Sequence, residues 1–84
     1  MQLAQFNKLT LEQKGEYTFK SIEVSFLAYR YYYKHKVSLY SCDNFFIEVY
    51  YFPAENRITK IEGIDYESKN VDLYINAAIK SPTS

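Results

Sequence analysis

Few side chains in this chain have chemistry to offer. His35 is the one histidine and Cys42 the one cysteine in 84 residues. A thiol beside an imidazole makes a nucleophile, but these two lie on one strand and its flank. Their odd separation sends them to opposite faces of a regular sheet. They read as an ordinary strand cysteine and a surface turn histidine, with no nucleophile motif nearby. Glu48 is the one acid inside an alternating apolar pattern. It is either a buried functional carboxylate or an exposed strand acid paired across the sheet to Lys60 or Arg57. Ordinary strand chemistry favours the second. Gly15 and Gly63 are the only glycines, so no Gly-rich loop exists to cradle phosphate. A lone cysteine rules out a multi-cysteine metal site and an intrachain disulfide. The expectation is a protein that is not an enzyme and needs no cofactor.

The densest local feature is the run Tyr29-Arg30-Tyr31-Tyr32-Tyr33-Lys34-His35-Lys36. On a strand, such rings can stack bases while the cations hold phosphates. Tyr and Arg are also the residues enriched at the centres of protein interfaces. The candidate binding residues are Tyr29, Arg30, Tyr31, Tyr33, Lys34 and Lys36, joined by Tyr50 and Phe52 from a neighbouring strand.

Charge decides the order of these readings. Ten Lys plus Arg balance ten Asp plus Glu, whereas a polyanion binder needs excess positive charge. The distribution is uneven. Arg30, Lys34 and Lys36 outweigh Glu23 in residues 21–42, while acids outnumber Arg57, Lys60 and Lys69 from residue 43 to residue 79. Protein–protein contact therefore ranks first, with self-association through an aromatic face or a sheet edge as its simplest form. By size and composition, an inhibitor, antitoxin, immunity protein or phage anti-defence factor is one such protein. The alternative is a nucleotide or single-stranded nucleic-acid binder using strand 29–36. A third class is a small-molecule sponge walled by aromatics of a dimer.

Composition points the same way. Ten Tyr and six Phe make 19% of the chain, without Trp. A chain this short buries only about 60–65% of its unfolded surface, so sixteen rings exceed what one small core hides. The start, Met1 to Lys14, lacks the apolar run and basic lead of a signal peptide. No stretch approaches the roughly 18 apolar residues of a membrane span. The expected location is the cytoplasm.

The elements that must position these residues follow from spacing. Leu3, Phe6 and Leu9 recur every three residues, a short helical segment. Thr10 with Gln13 fits a capping box, starting a helix to about Lys20 with Leu11, Thr18, Phe19 and Ile22 near one side. Gly15 within it marks a close approach or a break. Ile22, Val24 and Phe26 then alternate with Glu23 and Ser25, opening the first strand, with a turn near Tyr32–His35. The second strand is Lys36–Cys42, and Asp43-Asn44 reads as a two-residue hairpin turn at positive φ. The third strand is Phe45–Phe52. Pro53-Ala54-Glu55-Asn56 is a turn closed by left-handed Asn56. The fourth strand, Arg57–Ile64, places Ile at 58, 61 and 64. That spacing demands a bulge between Ile58 and Ile61. Ser68 or Asn70 caps a last helix carrying the stripe Val71, Tyr74, Ile75, Ala78 and Ile79, with Lys80 at its end and a short frayed tail over Ser81–Ser84.

The fold expected is α+β and a single domain over 1–84. It has an N-terminal helical segment (1–20), a four-stranded antiparallel meander sheet (22–64) and a C-terminal helix (68–80). The helices are expected on one sheet face, leaving Tyr and Phe displayed on the other.

The segment VSLYSCDNFFIEVYYFPAENRITKIEGI, followed by a helix bearing Tyr74, resembles a group of small uncharacterised bacterial proteins. Their pattern is an aliphatic-x-Leu-Tyr strand, an acidic turn, an aromatic-aliphatic-Glu-Val-aromatic-Tyr strand and an Ile-x-x-Ile strand. Val37, Leu39, Tyr40, Asp43, Phe45, Phe46, Ile47, Glu48, Val49, Tyr50, Tyr51, Ile58 and Ile61 carry it here. The upstream helix and strand are similar too, except that the group has a Gly where this chain reads Lys20-Ser21-Ile22. The resemblance covers most of the chain and brings no activity or ligand with it.

Overall fold

Thr10 opens the main N-terminal helix as its side chain requires. Its hydroxyl accepts the Gln13 N–H at 3.1 Å, and its own N–H donates to the Gln13 side chain at 3.0 Å. Two donors that a helix start leaves unpaired are thereby satisfied. The computed structural model describes residues 1–80, with side chains as far as Ile75. Its elements are α1 (Leu3–Phe6), α2 (Leu11–Lys20), β1 (Ser25–Tyr32), β2 (His35–Ser41), β3 (Phe46–Phe52), β4 (Arg57–Ile64) and α3 (Asn70–Lys80). The strands form one antiparallel sheet in the order β1-β2-β3-β4. The class and the meander are as the sequence led us to expect. The reading of Ser81–Ser84 as a tail lies outside the described residues, as do the Ala78, Ile79 and Lys80 side chains.

The helices do not share a face. Phe6 of α1 and Tyr17 of α2 pack with Ile47, Val49 and Ile61 on one side of the sheet. Tyr74 and Val71 of α3 pack with Val37, Leu39 and Ile64 on the other. Register is the reason. Val37 stands opposite Tyr50, and Leu39 opposite Glu48. The apolar side of β2 therefore looks away from Ile47 and Val49. Each sheet face carries its own apolar set and needs its own helical cover.

Two bulges tune this arrangement. Tyr50 pairs with Lys60 and Tyr51 with Ile58, leaving Thr59 as the extra residue. Ile58 and Ile61 thus return to one face and pack in the same cluster, as their spacing demanded. The second bulge, at Leu27, lies between the pairs Phe26–Tyr40 and Ala28–Leu39.

Other expectations need correction. β1 starts at Ser25, because Ile22 lies in a turn and is 99% exposed. α2 turns Thr18 inward while Leu11 and Phe19 stay exposed. Thr18 is tolerated there because its hydroxyl donates to the Lys14 carbonyl at 2.7 Å. Gly15 does not break α2. A Cβ there would meet Ile61 Cδ1 at 3.6 Å, an ordinary contact.

Asp43-Asn44 are the two residues of the turn, but without the positive φ expected of them. Cys42 to Phe45 link β2 to β3, with the Cys42 N–H donating to the Phe45 carbonyl at 3.0 Å. Cys42 and Phe45 are buried, so core burial shapes this loop. Among the described non-glycine residues, positive φ occurs only at Tyr33 and Asn56. Asn56 closes the turn begun by Pro53, as expected.

Candidate interaction surface

Glu48 is fully buried, which overturns the exposed cross-strand reading. The residue opposite it is Glu62. Lys60 pairs with Glu62 at 3.1 Å and Arg57 with Glu55 at 2.6 Å. Glu48 instead accepts from the Tyr74 hydroxyl at 2.7 Å, Arg30 Nη2 at 3.3 Å, Asn70 Nδ2 at 3.4 Å and the Tyr50 hydroxyl at 3.5 Å. Tyr74 and Asn70 belong to α3, so the carboxylate ties that helix to the sheet. Arg30 also lies over the Tyr74 and Tyr32 rings. Burial, together with the hydrogen bond to Glu48, pushes the Tyr74 phenol well above its ordinary value. The Glu48 carboxylate and Tyr74 are closed to solvent, so the group's role is to hold α3 down.

Arg30 is thereby engaged by Glu48, and the rest of the candidate binding set divides between the two sheet faces. Arg30 stands opposite Val37 on the α3 face. Tyr50 and Phe52 share that face, at an end cluster where His35 lies 6.2 Å from the Tyr50 ring and 5.1 Å from the Phe52 ring. Tyr29 and Tyr31 stand opposite Ser38 and Lys36, on the face of α1 and α2. Their rings meet edge to face at 5.7 Å, and the Lys36 ammonium lies 4.4 Å from the Tyr29 ring centre. Tyr33 and Lys34 form the turn between β1 and β2. His35 and Cys42 fall on opposite sheet faces, as their spacing implied: His35 joins the end cluster, and Cys42 the core beneath α1.

α1 and α2 pack toward β4, which leaves the β1 half of their face uncovered. Phe26 is 55% exposed there and Tyr31 70%. Phe19 and Phe26 both pack edge-on against Tyr40, extending the row of rings. The Leu27 bulge brings Phe26 onto the same face as Tyr29, three positions on. Sequence reading missed Phe26 and Phe19 because it expected both to point into the core.

The two sheet edges are treated differently. On β4, the Asn7 side chain accepts the Gly63 N–H at 2.8 Å and donates to the Gly63 carbonyl at 3.0 Å. Lys14 donates to the Ile61 carbonyl at 3.0 Å. These bonds occupy the groups that a further strand would use. On β1, no side-chain bond to the outer backbone occurs among the described residues, and Lys36, over the Tyr29 ring, is borne by the neighbouring strand rather than by the edge itself. The turn from Tyr33 to Lys34 closes on the pair Tyr32–His35. With positive φ at its first central residue only, it follows the φ signs of a type II′ turn. Alternation along the ladder then aims the N–H and C=O of Tyr29 and Tyr31 outward.

Tyr33 itself is unusual. Its φ of 54° is the left-handed region that glycine prefers at this turn position. Its ring is 88% exposed and touches Tyr32 at 4.6 Å. A bulky residue in a strained conformation with little burial to offset it points to a use for the displayed ring.

Among the described residues no group of His, Cys, Asp and Glu is placed to hold a metal ion. No described helix is long and apolar enough to cross a membrane. Set against known protein families, curated proteins and solved structures, the chain matches none.

Proposed function

We propose that this chain is a non-enzymatic protein–protein interaction module. Its contact surface is the open edge of β1 with the rings of Phe26, Tyr29, Tyr31 and Tyr33. The observation that carries this reading is the contrast between edges: β4 is terminated by Asn7 and Lys14, while β1 is left unpaired beside exposed rings. Natural sheets blunt free edges with charge, proline or cover. An edge left bare and aromatic suits strand addition, where main-chain bonds give affinity and side chains give selectivity. A chain of this size acts by occupying another protein's surface, as an inhibitor, antitoxin, immunity or anti-defence factor does.

A photo-crosslinking amino acid at position 31, with a control at exposed Glu12 on α2, tests the proposal in the producing cell. Protein adducts from position 31 and none from position 12 are expected. No adduct at 31, or equal adducts at both, contradicts it.

One observation favours the nucleic-acid reading. Lys36 over Tyr29, beside Tyr31, is the kind of cation–ring pair that grips a single strand. Against it stands Arg30, occupied by Glu48. Oligonucleotide binding with steep salt dependence, lost on changing Lys34 and Lys36 to Ala, would favour it over the protein reading.

A further inference from the structure

Resting on the reading of β1 as the contact strand, we infer that the first occupant of that edge is a second copy of the chain. The two β1 strands pair antiparallel about a two-fold axis to give a continuous eight-stranded sheet.

Charge sets the direction. Glu23 lies two residues before β1 and Lys34 two residues after it. Both are exposed, and Lys34 makes no ion pair among the described residues. An antiparallel copy brings opposite charges together at both ends of the joined strands. A parallel copy sets Glu23 against Glu23 and Lys34 against Lys34.

Register agrees with charge. Leu27 is bulged out of the ladder, so Tyr29 marks the centre of the remaining positions. With Tyr29 on the axis, Phe26 of each copy faces Tyr31 of its partner, and beyond the paired positions the turn carrying Glu23, whose carboxylate accepts from the Tyr17 hydroxyl at 3.1 Å, lies beside the partner's turn carrying Lys34. The rings that meet all lie on one face of the sheet, and the outward backbone groups of Tyr29 and Tyr31 are the ones this register pairs.

The closed β4 edge fixes the size of the assembly. A sheet with two open edges grows without limit, whereas one open edge closes at two copies. Half-exposed rings and paired backbone amount to roughly 500 Å2 per copy, toward the low end of stable interfaces. Such a dimer forms in the micromolar range rather than far below it.

Sedimentation of purified protein, from below to well above micromolar, provides the test. The expected result is a monomer giving way to a dimer and to nothing larger. Glu23→Lys and Lys34→Glu should each weaken dimerisation by roughly three- to tenfold, since each turns two attractive end pairs into repulsive ones. The double reversal Glu23→Lys/Lys34→Glu should restore it. Tyr31→Lys should abolish it, with circular dichroism confirming that the variant is folded. A monomer at every concentration, a ladder of larger species, or a dimer that the double reversal fails to restore overturns the inference. If the protein stays monomeric but crosslinks from position 31 to a different protein, self-pairing fails while the interaction module stands. If position 31 crosslinks to nothing, both fail.

Discussion

Glu48 is the residue on which most side chains converge. Breaking a buried ion pair by removing one partner leaves the other charge stranded, at a cost of about 3–5 kcal/mol. Glu48→Gln keeps the shape and strands Arg30, so urea unfolding should register a loss of that size. Replacing all three together, Arg30→Met and Glu48→Leu with Tyr74→Phe, should recover most of it, because neither a charge nor the buried Tyr74 hydroxyl is then left without a partner. Tyr74 adds a pH dependence. Its phenol is held protonated in the fold by burial and by Glu48, and the Tyr17 phenol is likewise raised, by burial and by Cys42. Stability from these groups is complete below the ordinary tyrosine value near pH 10. It is lost as the pH climbs toward the raised folded values, because only the unfolded chain ionises there. The urea midpoint should be flat through neutral pH and fall above about pH 10, and Tyr74→Phe should flatten that fall. The sequence marked Glu48 as the odd acid in an apolar strand. Its partners Asn70 and Tyr74 stand 22 and 26 positions away, beyond what local pattern reveals, and so its environment was misjudged.

At the scale of elements, the two glycines separate cleanly. A Cβ on Gly63 would lie 2.7 Å from Leu3 Cδ1 and 3.1 Å from a Phe6 ring carbon. Gly63→Ala should therefore push α1 off β4 and cost about 1–3 kcal/mol. Gly15→Ala meets only the ordinary contact with Ile61 and should stabilise α2 by up to about 1 kcal/mol. Thermal unfolding of the two variants should shift in opposite directions. Tyr33→Gly should also raise stability, by about 1 kcal/mol through relief of the left-handed backbone, while weakening any contact that uses the ring. Much at this scale was legible from sequence. The Thr10–Gln13 box, the Pro53–Asn56 turn and the bulge between Ile58 and Ile61 each follow from local chemistry or spacing. The backbone conformation of the Asp43-Asn44 turn did not, since neither residue takes the positive φ that its type allows. The placement of α3 did not either, since it depends on how β2 registers against β3.

For the whole molecule, ring count was the useful signal. Of sixteen Phe and Tyr, Phe6, Phe45 and Tyr74 are buried and seven are exposed. The surplus was legible in the composition. Its location was not, because it depends on α1 and α2 packing toward β4 and baring β1. Of the residues first grouped as a site, Tyr29, Tyr31 and Lys36 stand together, Tyr33 and Lys34 adjoin them, and Arg30, Tyr50 and Phe52 look the other way.

One edge of the sheet is closed and the other is open for pairing. Residue-resolved amide exchange by nuclear magnetic resonance, run dilute and then concentrated, reads both at once. Gly63 should be protected throughout by Asn7, whereas Tyr29 and Tyr31 should exchange freely when dilute and gain protection when concentrated. Tyr29 and Tyr31 already protected in the dilute monomer, or Gly63 exchanging as freely as they do, would contradict this arrangement.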